Sequence, residues 1–427
     1  MSDVLKQDCP LVLKGETKKT GRGAGILLHI TSLPGKYGVG SLGSEAYQFI
    51  DFLKDSHQTY WQILPFNPVS GTWSPYSSSS AFAGNTTWID PEDLFRKKLI
   101  ASLPQTLKTG NTVHFEPAIS LRKQMLEEAF QNFRKKPNPL IESRFESFCQ
   151  DEHYWLEDYA LFCILKETNA HKAWDEWPED FKIRERIILN RFRKKHAELI
   201  FKVKFEQYIF HEQFLKMKSY ANSRGIRIIG DMPIYISYDS ADVWANPQLF
   251  NLDETMRMKT MAGVPPDYFS NTGQLWGMPV FDWKTMKRED YSWWIERIRR
   301  NLKFCDILRF DHFRGFSSYW EVPSSEKTAV NGWWTSGPGD DFFKALYREF
   351  PSMPFIAEDL GEIDEDVYRL RDTFNLPGMR VIQFAFGSDL RHSVHAPHMH
   401  SLNSIIYTVL TTTIPLLDGI KMKLTKR

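Results

Sequence analysis

Three acidic residues lie in or directly after runs of β-favouring residues. Asp231 lies in "IRIIGDMPIY", Asp311 ends "CDILRFD", and Glu358 follows "MPFIA". An acid after a strand is commonly a helix cap or a turn residue, so each one alone indicates little. Carboxylates gathered at one edge of a sheet repel one another, so together they indicate a chemical role. Glycoside chemistry needs such a set, because it uses a nucleophile on one side of the scissile bond and a proton donor on the other.

The segment "CDILRFDHFRGF" places Asp311 between Arg309 and Arg314. Nearby guanidinium groups favour the charged form of a carboxyl group. A surface turn needs only one charge for solubility, whereas a site that keeps a carboxylate ionised and oriented needs this arrangement. The segment is therefore a candidate catalytic strand end.

Short β-rich runs that could position these acids recur along the chain. They are "GILLHI" (25–30), "TYWQILPF" (59–66), "IRIIGDMPIY" (226–235), "CDILRFD" (305–311), "MPFIAEDL" (353–360), "MRVIQFAF" (379–386) and "SIIYT" (404–408). Near-continuous apolar strands are typical of a parallel sheet covered on both faces. "SEAYQFIDFLKDS" has a helical pattern behind Ser44 as N-cap and leads into the second run, which predicts βαβ units. We predict an α/β fold, a (β/α)₈ TIM barrel whose active site lies at the carboxyl ends of the strands.

A long, charged segment interrupts this alternation between residues 91 and 220. Its apolar residues recur at three- and four-residue steps, as in "RKQMLEEAFQNFRKK", which predicts a large helical insertion after the second strand. Residues 1–90 and 221–408 would then form the catalytic barrel, and 91–220 a helical insertion subdomain. The lysine and arginine runs in the insertion are interpreted as the solvated faces of amphipathic helices.

Composition excludes several classes of function. The formal net charge of the 427 residues is +1, so no electrostatic attraction to nucleic acid or to an anionic membrane is expected. Aromatic residues make up 14%, which fits either flat apolar ligands such as sugar rings or an aromatic core. The scattered cysteines argue against a disulfide frame, and no apolar run is long enough to span a bilayer. We expect a cytoplasmic protein without a cofactor, and the sequence does not indicate its oligomeric state.

Several long motifs resemble those of one enzyme family. They are "SPYSSSSAFAGN", "GDMPIYIS", "DVWANPQLF", "AGVPPDYFSNTGQLWGMPVFDW", "ILRFDHFRG" and "IAEDLG". The chain resembles the amylomaltases, bacterial 4-α-glucanotransferases (disproportionating enzymes) of glycoside hydrolase family 77 in the α-amylase clan, from about residue 24 to residue 408. The resemblance implies a retaining transfer of α-1,4-glucan segments from maltooligosaccharides to the 4-hydroxyl of another sugar or of glucose.

The resemblance also implies roles for particular residues. Asp311 would be the nucleophile, Glu358 the acid/base, and Arg309 the group that holds Asp311 ionised, since residues two apart on a strand share a face. Retention requires carboxyl groups roughly 5–5.5 Å apart and a raised pKa for Glu358. Further substrate-binding residues are implied: Tyr76 as a stacking platform, Asp231 as a hydroxyl ligand, and Asp267, Gln274 and Trp276 on a loop that covers the glucan.

The chain departs from the family after "NSIIYT". Amylomaltases continue with a Gly-Thr-His-Asp-Asn motif that binds the donor sugar, whereas this chain reads "VLTTTIPLLDGIKMKLTKR". Codons for residues 409–412 exist that spell Gly-Thr-His-Asp once one G is restored before them. We therefore interpret 409–427 as a frameshifted tail, which predicts a barrel lacking strand 8, with poor stability and little or no activity.

Two alternatives to this interpretation remain open. An α-glucan hydrolase would share Asp311 and Glu358, and an inactive glucan-binding remnant would still use Tyr76 and Trp276 while its incomplete site stays silent. His395, His398 and His400 could imitate zinc ligands, but metal sites usually take ligands from more than one element, so no metal is predicted.

Overall fold

The computed structural model describes residues 22–69, 73–107, 112–267, 270–386 and 390–410. These residues form two compact units. The larger unit consists of Arg22–Leu308 and Trp320–Trp333, and the smaller unit consists of Arg309–Tyr319 and the described residues from 334 to 410.

The described part of the chain contains eleven β-strands. They are β1 Gly25–Leu27, β2 Tyr60–Gln62, β3 Arg227–Met232, β4 Thr260–Val264, β5 Gln274–Pro279, β6 Ile307–Phe310, β7 Ser318–Pro323, β8 Trp333–Ser336, β9 Phe355–Ala357, β10 Gly378–Val381 and β11 Ser404–Tyr407. Fourteen α-helices are described. They are α1 Ser44–Asp55, α2 Pro91–Arg96, α3 Phe115–Lys135, α4 Pro139–Asp151, α5 His153–Thr168, α6 Glu179–Lys182, α7 Arg186–Lys195, α8 Ala197–Ser223, α9 Ala241–Ala245, α10 Trp283–Arg288, α11 Ser292–Phe304, α12 Gly339–Glu349, α13 Glu365–Thr373 and α14 Ile382–Ala385.

Seven of the strands form one sheet in the order β1-β2-β3-β6-β9-β10-β11. The paired strands are parallel, with Trp61 of β2 opposite Ile228 of β3 and Gly378 of β10 opposite both Ala357 and Ser404. Six of these strands lie within predicted runs and β10 begins one residue before its run, at Gly378, which confirms the parallel α/β sheet. As predicted, the described residues supply no eighth parallel strand to this sheet.

A second sheet was not predicted. Its order is β5-β4-β7-β8, and β4 pairs with both β5 and β7 in antiparallel fashion. The run "MRVIQFAF" also differs from its prediction, because only its first residues are strand and Ile382–Ala385 form α14.

Helices α2 to α8 fill the predicted insertion between β2 and β3, and in the structure they belong to the larger unit. The start of α2 follows from local chemistry, because Pro91 is its first residue and Asp90 accepts hydrogen bonds from the N–H groups of Glu92 and Asp93. The domain boundaries at 90, 220 and 408 stay predictions. The segment 409–427, which the sequence analysis interprets as a frameshifted tail, lies from residue 411 onward outside the described residues.

Helix α1 begins differently from the prediction. Its N-cap is Gly43, and Ser44 is the first helical residue. A Cβ atom on Gly43 would lie 2.6 Å from the carboxylate of Asp90, so only glycine allows this close approach.

Aromatic rings dominate the core of the larger unit. Phe210 and Phe214 of α8 are fully buried and contact Phe66, Trp88 and Phe304. The aromatic content of the sequence therefore serves packing to a large extent. Among the described helices, none is both long and apolar enough to cross a membrane.

Candidate active site

Strand β6 delivers the predicted catalytic aspartate. Leu308 and Phe310 are buried, and the ring of Phe310 packs against Phe355 at 4.8 Å between centroids. Because side chains alternate along a strand, this packing leaves Arg309 and Asp311 on the opposite face. The apolar residues of the segment thus hold the strand that orients its charged ones.

Arg309 and Asp311 form an ion pair. The Nη1 atom of Arg309 lies 2.9 Å from Oδ1 of Asp311, and Arg309 is 7% exposed. The Nε–H of Arg309 also points to the sulfur of Met379, at 3.2 Å. A buried guanidinium held at both ends is a rigid partner for a carboxylate.

Glu358 follows β9 and is bound to the same segment. Its backbone N–H donates to the carbonyl of Phe310 at 3.1 Å, and its carbonyl accepts from the N–H of Phe313 at 3.2 Å. Its Oε2 accepts from the N–H of His312 at 2.7 Å. His312 has φ of +52°, a left-handed conformation that non-glycine residues adopt uncommonly. This turn directs an N–H group to Glu358 immediately after Asp311.

The surroundings of Glu358 change its acidity. Burial raises the pKa of Glu358 to about 8, the positive charge of Arg309 opposes that rise, and the negative charge of Asp311 adds to it. At neutral pH this carboxyl group is therefore mainly protonated and can donate a proton. One carboxyl group paired with arginine and a second one kept protonated are what acid-assisted attack on a glycosidic bond requires.

Arg314 does not serve Asp311, although the sequence places it nearby. Its Nη2 lies 3.1 Å from Oδ2 of Asp364, and its guanidinium stacks on Trp334 at 3.9 Å. The short 3₁₀ turn Phe313–Phe316 is enough to direct the side chain elsewhere.

Asp359 is a residue of this region that sequence reasoning missed. Its side chain is fully buried and pairs with Arg371 and Arg380. The only signal in the sequence is its position beside Glu358, because both arginines come from other elements.

Tyr76 and Asp231 lie together in the larger unit. The hydroxyl of Tyr76 donates to Oδ2 of Asp231 at 2.8 Å, and Asp231 is 3% exposed on β3. The segment that carries Tyr76 continues into Gly84, whose N–H and C=O are both bonded by the side-chain amide of Gln207 at 2.8 and 3.0 Å. A buried glutamine of α8 thus fixes the end of this segment.

Asp267, Gln274 and Trp276 were predicted on a loop, and the structure corrects this in part. Gln274 and Trp276 belong to strand β5, and Asp267 lies in the connection between β4 and β5. The indole of Trp276 donates to Oε1 of Gln274 at 3.3 Å and lies 5.9 Å from the ring of Tyr235. Asp267 accepts a hydrogen bond from the N–H of Ser270 at 2.8 Å.

The histidines of 391–400 bind backbone groups. His395 accepts from the N–H of Val381, and ring nitrogens of His398 and His400 contact the carbonyl groups of Arg391 and His395. Among the described residues, no group of three or more His, Cys, Asp or Glu side chains could hold a metal ion.

Comparison with known proteins identifies the family. A family model described as 4-alpha-glucanotransferase matches residues 28–412. The 4-alpha-glucanotransferase of Aquifex aeolicus is 49% identical over 387 residues, which cover 90% of this chain and 78% of that protein. The chain belongs to the 4-alpha-glucanotransferase family. A second member, from Synechocystis sp., is 46% identical over 396 residues that cover 91% of this chain and 78% of the relative.

A solved structure supports the same assignment. The amylomaltase from Streptococcus agalactiae in complex with acarbose matches with a TM-score of 0.87 and 39% identity, and covers 95% of this chain and 84% of that one. This match confirms the resemblance to amylomaltases and the barrel fold. The 4-alpha-glucanotransferase family consists of enzymes that transfer hexosyl groups. An amylomaltase from Corynebacterium glutamicum, at 17% identity and a TM-score of 0.74, shares the fold.

Proposed function

We propose that this chain is a retaining 4-α-glucanotransferase that works through a covalent glycosyl-Asp311 intermediate. The observation that carries this proposal is the pairing of two unlike carboxyl groups. Asp311 is in an ion pair with Arg309, whereas Glu358 has a pKa raised to about 8 and accepts the N–H of the residue that follows Asp311. One group is prepared to attack and the other to give a proton.

The reaction proceeds in two steps. In the first, a carboxylate oxygen of Asp311 bonds to the anomeric carbon of the donor, the glycosidic C–O bond breaks, and Glu358 gives its proton to the departing oxygen. In the second, the 4-hydroxyl of the acceptor attacks the anomeric carbon, the ester bond to Asp311 breaks, and the carboxylate of Glu358 takes the hydroxyl proton. Both carboxyl groups return to their starting states, so no further reactant is consumed.

The donor and acceptor in this proposal are α-1,4-glucans and maltooligosaccharides. The names of the relatives support this substrate class, as does the acarbose bound to the Streptococcus agalactiae amylomaltase. We assign Tyr76, Asp231, Asp267, Gln274 and Trp276 to sugar binding. Aromatic rings beside carboxylate and amide groups suit a ligand with apolar faces and hydroxyl edges.

Maltotriose disproportionation tests the transfer reaction. The 427-residue chain should convert maltotriose to glucose and longer maltooligosaccharides, with no net increase in reducing ends. A steady increase in reducing ends would indicate a hydrolase, and glucan binding without products would indicate a binding protein.

Intact-mass analysis tests the covalent intermediate. A fluorinated glucosyl fluoride, which reacts as a donor but slows the second step, should add one glycosyl mass to the protein. The adduct should map to the peptide containing Asp311 and be absent in Asp311→Asn. An adduct on another residue would contradict the assignment.

A further inference from the structure

The buried carboxylate of Asp359 binds two elements of the smaller unit, β10 and α13. It accepts the N–H of Met379 at 2.6 Å on β10, and its oxygens lie 3.1 and 3.3 Å from Nη1 of Arg380 on the same strand. Nη1 of Arg371, on α13, lies 2.5 Å from Oδ2 of the same carboxylate. A fully buried carboxylate is costly unless it is paired and hydrogen-bonded, and here two cations and an N–H compensate it.

Glu358 and Asp359 are bound on opposite sides of one short segment. Glu358 bonds the turn after β6 through its N–H, its C=O and its carboxyl group. Asp359 bonds β10 and α13, as neighbouring residues of an extended chain face opposite ways. The position of the Glu358 carboxyl group therefore depends on anchors on both sides.

Gly378 makes room for this anchor. A Cβ atom at this position would lie 2.5 and 2.9 Å from the two carboxylate oxygens of Asp359, and 3.0 Å from Arg371. Side chains other than hydrogen at position 378 would displace the carboxylate. Strand β10 and helix α13 are thus both fitted to one buried anion.

We propose that Asp359 is a positioning residue for Glu358, which acts by anchoring the segment after β9 and by placing a compensated negative charge beside the acid/base. This inference rests on the proposed function of Glu358 and assigns the part played by its neighbour. Asp359 itself contacts no reacting atom in this scheme.

The charges that face Glu358 fix the sign of the expected pH effects. Arg309 and the N–H of His312 lower the pKa of Glu358, whereas burial, Asp311 and Asp359 raise it. Replacing Asp359 by asparagine removes one negative charge and leaves Arg371 and Arg380 without it, so the pKa of Glu358 should fall. Removing Arg371 leaves the charge of Asp359 less compensated, so the pKa of Glu358 should rise.

Kinetics on the full chain with maltotriose test the proposal. Asp359→Asn should lower kcat/KM by about 10- to 100-fold, because small displacements of a catalytic group have effects of this size. The alkaline limb of its pH–activity profile, where activity declines as pH rises, should move to lower pH by about one unit. Asp372→Asn is the matched control, since Asp372 pairs with the same Arg371 but is 62% exposed in its side chain. It should keep the wild-type profile.

The variant Arg371→Gln distinguishes a positioning role of Asp359 toward Glu358 from a role in fold stability alone. Its alkaline limb should move to higher pH, opposite to that of Asp359→Asn, whereas a purely structural role would lower activity in both variants without opposite shifts. If Asp359→Asn does not fold, Arg371→Gln decides, because Arg380 and the N–H of Met379 remain to hold Asp359. Parallel shifts, or unchanged limbs in a folded variant, would overturn the proposal.

A measurement without turnover distinguishes this inference from the proposed function. Carbon-13 NMR titration of glutamate carboxyl groups, with Glu358 assigned by its loss in Glu358→Gln, reports the pKa directly. Opposite displacements of that pKa in Asp359→Asn and Arg371→Gln support the positioning role even if the chain fails to transfer glucan. Equal pKa values in all three proteins overturn it even if transfer is observed.

Discussion

The two units of the molecule treat their carboxylates in different ways. In the smaller unit, Asp311 pairs with a cation and Glu358 is kept protonated by its surroundings. In the larger unit, the carboxylate of Asp231 accepts a hydrogen bond from the neutral phenol of Tyr76. Burial and neighbouring charges set the protonation state of Glu358, whereas the hydrogen bond from Tyr76 helps to orient Asp231.

This difference teaches which measurement each group should affect. A carboxyl group that reacts must have a defined protonation state, so its neighbours should influence kcat and the pH profile. A carboxylate that binds sugar hydroxyls takes no part in proton transfer, so its neighbours should influence KM. The predictions below test this contrast, beginning with the largest expected effect.

Removal of either reacting carboxyl group should abolish most activity. Asp311→Asn should lower kcat by on the order of 10⁴-fold or more, because no glycosyl-enzyme can form. Glu358→Gln should lower it by roughly 10²- to 10⁴-fold for a natural glucan, whose departing oxygen needs a proton. Maltotriose disproportionation measures both. Asp340→Asn, an acid elsewhere in the smaller unit, is the control, and a tenth of wild-type activity in Asp311→Asn would contradict the assignment.

Replacement of Arg309 tests whether charge controls the pKa of Glu358. Arg309→Gln should lower kcat by roughly 100-fold through loss of a preorganised charge, and should move the alkaline limb to higher pH, because Arg309 lowers the pKa of Glu358. Arg309→Lys keeps the charge and should leave the limb near its wild-type position, although the geometry suffers. Arg369→Gln, at an exposed ion pair with Asp340, is the control. An unshifted limb in Arg309→Gln would show that charge does not control Glu358.

Tyr76→Phe should have a smaller effect of a different kind. Loss of the hydrogen bond to Asp231 costs about 0.5–1.5 kcal/mol, so KM for maltotriose should rise by about 2- to 12-fold while the pH profile stays unchanged. Tyr220→Phe removes a similar tyrosine–aspartate bond to Asp51 at 2.8 Å and is the matched control. A shifted pH limb in Tyr76→Phe would contradict the division of roles between the two units.

Local sequence patterns predicted much of this structure. The seven parallel strands were found because each is a short apolar run bounded by polar or turn residues. The closeness of Arg309 and Asp311 followed from their spacing of two on one strand. Both inferences use only neighbours in the sequence, and both agree with the structure.

Long-range pairing was not predictable in the same way. Strand β4 pairs with β7 across about sixty residues, and neither has a continuous apolar pattern, so the antiparallel sheet was missed and Trp276 was placed on a loop. The partners of Asp359 come from α13 and β10, and the pattern "AEDLG" does not indicate them. The sequence places Arg314 close to Asp311, but the tight turn after Asp311 directs the Arg314 guanidinium to Asp364 instead.

The smallest expected effect is on stability, and it tests the raised pKa of Glu358 without substrate. The ordinary pKa of a glutamate is 4.5 and burial raises that of Glu358 to about 8, so between these pH values the folded chain holds a proton that the unfolded chain releases. The free energy of unfolding should therefore fall as pH rises through this window, with the full penalty present above pH 8 and none below pH 4.5.

Glutamine at position 358 stays neutral and avoids that penalty. Relative to the wild type, Glu358→Gln should have nearly the same Tm at pH 5 and a Tm higher by a few degrees at pH 8.5, as measured by circular dichroism. Glu116→Gln, on the exposed face of α3, is the control and should show no such pH-dependent difference. A difference in Tm that stays constant from pH 5 to pH 8.5 would mean that Glu358 ionises as an ordinary glutamate. The smaller unit would then not keep its proposed acid/base protonated, and the contrast between the two units would not hold.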